Sequence, residues 1–197
     1  MHALRKIHLS LLSLLICRLR NACGKLMTVS SLTRSRLNTV MNQPETDGRT
    51  KFKDGSVAPM HTAEHILNAT MVKLFGCPRS RNAHIERKKS KCDYLLETEP
   101  TQEQVRAVED KVNEIISRDL PVTVEFMRRD TAAESLDLSK LPDDASDLLR
   151  IVRIGDYDAC ACIGTHVSST AGIGEFRIIS HSFSDGIWRV RWKVNAP

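Results

Sequence analysis

His61-Thr62-Ala63-Glu64-His65-Ile66-Leu67 is the stretch on which the reading of this chain turns. Through residues 61–75, Ala63, Leu67, Thr70 or Met71, and Leu74 recur at three- and four-residue steps, the spacing of an amphipathic helix. Pro59 suits its first turn and Gly76 its end. On such a helix His61 and His65 stand at i and i+4 and share one face. A second pair with the same three-residue gap, Cys162 and His166, lies roughly a hundred residues further on, in Cys162-Ile163-Gly164-Thr165-His166. Three imidazoles and one thiolate form a mixed donor set that suits tetrahedral Zn²⁺. The set points to metal-assisted hydrolysis.

Working outward, residues 48–59 are polar with Gly and Pro, and read as a loop entering the domain. Residues 83–87 and 92–97 read as strands joined by the basic turn Lys88-Lys89-Ser90-Lys91. Thr101 is placed to cap a helix running to residue 118, with Val105, Val108, Val112, Ile115 and Ile116 as its apolar stripe. A strand is expected from Pro121 through Met127, then short helical turns and loop over 131–147. Further strands are expected at 148–154, 158–163, 175–182 and 187–194, the last two joined by Ser184-Asp185-Gly186. On the last strand Trp188 and Trp192 read as core, and Arg189 and Arg191 as exposed. This order implies an α+β fold, a two-layer sandwich of a largely antiparallel sheet with helices packed on it.

The whole-chain charge of +5 hints at nucleic acid, but its distribution removes the hint. Residues 1–44 hold Arg5, Lys6, Arg18, Arg20, Lys25, Arg34 and Arg36 and no acid, which leaves residues 45–197 slightly acidic. The apolar run at 7–17 is too short for a membrane span, so no membrane role is expected. Residues 1–44 read as a leader or an overcalled N-terminus, expected to be disordered. A secretory h-region, a mitochondrial transit peptide, and true initiation at Met27 or Met41 are the readings open there. Residues 45–197 read as a single domain. The six cysteines show no disulfide framework, and two of them, Cys17 and Cys23, fall in the leader. A reduced, cytoplasmic setting with one metal-bound thiolate fits this usage.

A competing motif covers the first half of the set. His61-Thr62-Ala63-Glu64-His65 also fits His-x-x-Glu-His of the inverted zinc peptidases, with Glu64 as general base. That reading needs a further carboxylate ligand and leaves Cys162 and His166 unexplained. Cys160 stands two residues from Cys162, so in a strand both thiols face one way. It reads as a second ligand, a redox partner or a small buried side chain.

Taken together, these residues resemble a known family. His61-Thr62-Ala63-Glu64-His65-Ile66-Leu67 resembles the first zinc motif of the alanyl- and threonyl-tRNA synthetase editing domain. Its second motif is similar to Ile154-Gly155-Asp156-Tyr157-Asp158, Cys162-x-Gly164-Thr165-His166-Val167 and Gly172-Ile173-Gly174-Glu175-Phe176-Arg177-Ile178. The resemblance spans residues 59–192 and is nearest the alanyl-tRNA editing group that acts in trans. It implies zinc held by His61, His65, Cys162 and His166, and hydrolysis of mischarged tRNA without ATP. It implies that Thr62 helps recognise serine, and that Ile163, Gly164 and Thr165 line the substrate site. Ile163 replaces a glycine usual in the family and is expected to narrow the pocket or to change the backbone approach.

The chemistry needs such a site. A pocket made for alanine separates glycine by only about 1–3 kcal/mol and rejects serine by about a hundredfold, so a second hydrolytic site supplies the rest. Glu64 is a candidate acid/base, set against a reading as a solvated helix residue. Four protein ligands leave zinc no open position, so a zinc-bound water requires an expanded shell or an absent ligand. Arg79, Arg81, Arg87, Lys88, Lys89 and Lys91 form a local basic cluster; Arg79, Arg81, Lys88, Lys89 and Lys91 are the candidate contacts to the acceptor end of tRNA. Another metal-dependent esterase or amidohydrolase, and a non-catalytic zinc-stabilised RNA-binding module, are the alternative readings. Oligomeric state is not legible.

Overall fold

In a computed structural model, the described residues are 55–142 and 144–195. The leader readings for residues 1–44 lie outside them. After a 3₁₀ turn at Gly55–Val57, α1 spans Ala58–Phe75 with Pro59 in its first turn. Gly76 stops it in the left-handed conformation (φ 63°), its N–H bonded to Val72 O at 3.0 Å. Every residue from Met60 to Met71 is buried. α1 is therefore not a surface helix with one apolar face, and its polar residues must find partners inside.

α2 spans Gln102–Ser117. Thr101 and Gln104 form a reciprocal capping box, and Val105, Val108, Val112, Ile115 and Ile116 are its buried stripe. β1 (Asn82–His84), β2 (Ser90–Leu95), β6 (Glu175–Ser184) and β7 (Ile187–Asn195) form a four-stranded sheet in the order β1-β2-β7-β6. The main core joins its buried Cys92, Tyr94, Phe176, Trp188, Val190 and Trp192 to α1 and α2 residues. Arg189 and Arg191, read as exposed, are half-buried, and Arg189 grips Asp93 with two bonds of 2.7 Å.

β3 (Val122–Arg128), β4 (Leu148–Ile154) and β5 (Asp158–Ala161) form a second sheet in the order β3-β4-β5. All pairings between these strands are antiparallel. The α+β reading holds, with the strands divided between two sheets. A short helix, α3 (Arg129–Ala133), and the loop after it cover one face of the small sheet through Ala132, Leu136, Leu138 and Leu141. The basic turn is shorter than its sequence suggests, because Ser90 and Lys91 already pair with Trp192 and Arg191.

Trp192 is fully buried against Phe176, with ring centroids 5.2 Å apart. Trp192→Ala is expected to cost about 3–5 kcal/mol, and Thr101→Ala at the exposed cap about 1 kcal/mol. Denaturant unfolding of both variants checks this ranking.

Candidate active site

Buried on α1, Thr62 sets the protonation of one candidate ligand. Its hydroxyl donates to Ala58 O at 2.9 Å, accepts from the Val167 N–H at 3.2 Å, and lies 3.1 Å from His166 Nδ1. With its one proton given to Ala58, it can only accept from Nδ1–H. His166 is thereby left with Nε2 as its acceptor nitrogen, 3.5 Å from Cys162 Sγ. His61 repeats the arrangement: Nδ1 donates to Thr165 O at 3.1 Å, and Nε2 stands 3.4 Å from Cys162 Sγ. His65 Nδ1 is 3.4 Å from Asp158 Oδ2, the carboxylate partner common behind metal-binding histidines. One ligand atom from each of His61, His65, Cys162 and His166 lies within 4.8 Å of the others.

The electrostatics suit a cation. Burial opposes ionisation of Cys162, yet hydrogen bonds from His166, His61 and His65 outweigh it and bring the thiol down to about 3. Burial takes His166 down to about 4, so it is neutral at pH 7. Burial also lowers His65, but Asp158, Cys160 and Cys162 together raise it well above its ordinary value. Thiolate and neutral imidazole are the ligand forms, and a metal entering such a site displaces a proton like that on His65. The donor set and the partners behind each ring fit Zn²⁺.

Two devices hold the second motif in place. Arg150 Nη1 donates to Cys162 O at 2.5 Å and Gly164 O at 3.0 Å. A Cβ on Gly164 would overlap the His61 ring. Ile163, by contrast, is 61% exposed, so its side chain does not narrow the pocket as expected.

A cavity of about 200 Å³ opens beside the cluster. His61, Glu64, His65 and Asn68 line one side, Cys160 and Cys162 another, and Asp137, Lys140 and Leu141 the rim. Glu64 is buried, which overturns its reading as a solvated residue. Asn68 Oδ1 accepts from the Ser80 N–H at 2.9 Å and the Tyr94 hydroxyl at 3.0 Å. That fixes the amide so that its Nδ2 donates to Glu64 Oε1. Cys160 is half-buried with Sγ 3.4 Å from His65 Nδ1, and forms a second donor group with His65 and Asp158.

The remaining sequence candidates divide. Thr62 is fully buried, and three partners occupy its hydroxyl. Thr165 contributes its carbonyl to His61. Arg79 leaves the basic cluster: it grips Asp158 through two bonds of 2.7 and 3.0 Å, with little of its side chain exposed. Burial alone would raise Asp158, but His65 and Arg79 hold it well below the usual carboxylate range. Arg81, Lys88 and Lys89 are exposed, and Lys91 is half-buried. Sequence reasoning missed the roles of Asp158, Asn68 and Arg150. Asn68 carried a signal, since it stands at i+4 from Glu64 on the same helix.

Residues 149–191 match the threonyl and alanyl tRNA synthetase second additional domain. The chain carries a domain of this family. It is 33% identical over 134 residues to an alanyl-tRNA editing protein, AlaX-L, of Pyrococcus horikoshii, covering 68% of this chain and 32% of that protein. It is 30% identical over 142 residues to an alanine–tRNA ligase of Fervidobacterium nodosum, covering 71% of this chain and 16% of the ligase. An alanine–tRNA ligase of Petrotoga mobilis is 32% identical over 133 residues, 66% of this chain and 15% of the ligase. The chain thus spans about a third or less of these relatives. No helix among the described residues is long and apolar enough to cross a membrane.

Thr62→Val leaves His166 Nδ1 and the Val167 N–H without their acceptor, and Gly164→Ala displaces His61. Both are expected to weaken zinc binding about 10–100-fold with the fold retained. Competition against a calibrated chelator measures this, and wild-type affinity in both variants would contradict the roles given to these residues.

Proposed function

We propose that this chain is a zinc-dependent deacylase that hydrolyses Ser- or Gly-charged tRNA for alanine in trans. The observation that carries the reading is the convergence of three histidines on one thiolate, each with a hydrogen-bond partner behind its Nδ1, beside a buried carboxylate. The editing protein and ligases among the relatives supply the substrate class. His61, His65, Cys162 and His166 would hold Zn²⁺. When bound, the ion supplies Lewis-acid polarisation of the ester carbonyl or an anchor for the substrate amine.

Glu64 is the general base, held at Oε1 by Asn68. It takes a proton from the attacking water as the water oxygen bonds to the acyl carbon. The bond from that carbon to the ribose oxygen breaks, and the proton passes to the leaving ribose hydroxyl. Free amino acid and uncharged tRNA result, without ATP. Gly164 and Thr165 keep the second motif against His61, leaving the cavity between α1 and β5 for the acyl group. The reading places the protein with the cytoplasmic tRNA pool and assigns phosphate contacts to Arg81, Lys88, Lys89 and Lys91. With Ile163 on the outside, that residue gives less support to a different esterase on this scaffold.

The test is deacylation of Ser-, Gly- and Ala-charged tRNA for alanine by the zinc-loaded chain, with a chelated control. Release of serine or glycine with alanine left intact is expected, and Glu64→Gln is expected to lower kcat by about 10²–10⁴ with zinc retained. No release from any of the three by folded, zinc-loaded protein would reject the reading.

A further inference from the structure

The register of the small sheet sets its side chains in rows. The Cys162 N–H bonds to Arg150 O, and Arg150 pairs with Phe126. The adjacent row is Cys160, Val152 and Val124. Side chains alternate along a strand, so these six residues share one face. Cys160 meets His65 and Cys162 meets His61, so this face looks toward the metal cluster. Its opposite face is packed by Ala132, Leu136, Leu138 and Leu141.

On the cluster face, burial is complete at Val152 and Ile154 but fails toward β3. Val124 and Phe126 are 46% and 47% exposed, and Leu148, one row beyond, is 50% exposed. Phe126 is the one aromatic among the exposed large hydrophobic side chains of the described residues. A contiguous exposed apolar patch marks a contact surface.

Its position identifies the occupant. Phe126 stands two strand spacings from Cys162, about 9–10 Å. That is comparable to the reach from an acyl group on a terminal ribose to the base of the same nucleotide. Arg150 lies between them, and Arg128, opposite Leu148, flanks the patch with an exposed ion pair to Asp130 at 3.3 Å, a kind that contributes little. A flat apolar ring on the same sheet face as Cys162 and bordered by cations suits a stacked base and its phosphate.

We propose that Phe126, flanked by Val124 and Leu148, is the stacking platform for the terminal base of the acceptor RNA. The proposal rests on the tRNA-ester reading above. It predicts that the zinc-loaded full chain binds an uncharged acceptor-stem minihelix ending in CCA about fivefold or more tighter than one ending in CC. Phe126→Ala removes that difference, Phe126→Trp restores it, and zinc content and Tm stay unchanged. Adenosine preference retained in Phe126→Ala overturns the platform. A lowered Tm or altered oligomer mass in Phe126→Ala, with adenosine preference intact, overturns it in favour of the chain itself covering this face. Deacylation is assayed in parallel. Turnover by a wild type without adenosine preference sinks the platform alone, whereas neither turnover nor binding sinks both readings.

Discussion

Six polar side chains on one helix, His61, Thr62, Glu64, His65, Asn68 and Thr70, are all buried, and the structure depends on how their polar atoms are satisfied. An unpartnered buried polar group costs roughly 1–3 kcal/mol, and a charged one more. Residues 157–167 supply most of the partners. Tyr157 bonds to Thr70, Asp158 to His65, Thr165 O to His61, and His166 and the Val167 N–H to Thr62. Polar satisfaction thus ties the second motif to α1, and the same bonds that fix the fold here orient the candidate ligands.

The two interior kinds of cysteine show what this network does. Cys92 is fully buried in the main core, where burial pushes its thiol far above the ordinary range and leaves it inert. Cys162 is held by three imidazoles that outweigh burial and favour thiolate. Residue type is the same; the difference is whether the donors facing the sulfur outweigh burial. The Arg79–Asp158 pair serves similarly, since together with His65 it holds the Asp158 carboxylate low where burial alone would raise it.

Much of this was legible in the sequence because it rests on local periodicity. The α2 stripe and its Thr101 cap follow from 3.6-residue spacing and cap chemistry, and both hold. Spacing also placed His61 beside His65. Geometry then decided what spacing could not. Burial of Glu64 depends on Ser80 and Tyr94, which reach it through Asn68 from distant segments. Arg79 read as part of a basic run because its partner Asp158 lies 79 residues away. The strands were visible, but their division into two sheets depends on pairing register, which alternation alone does not specify. Ile163 read as an obstruction because it stands where the family usually has glycine, but its side chain is exposed and the close approach to His61 falls at Gly164.

The central claim is a metal shell of three nitrogens and one sulfur, with Cys160 outside it. X-ray absorption at the zinc edge on reconstituted protein tests it most directly. The expected first shell is three nitrogen scatterers at about 2.0–2.1 Å and one sulfur at about 2.3 Å. A shell with two sulfurs, or with none, would contradict the assignment, as would a folded protein that takes up no zinc.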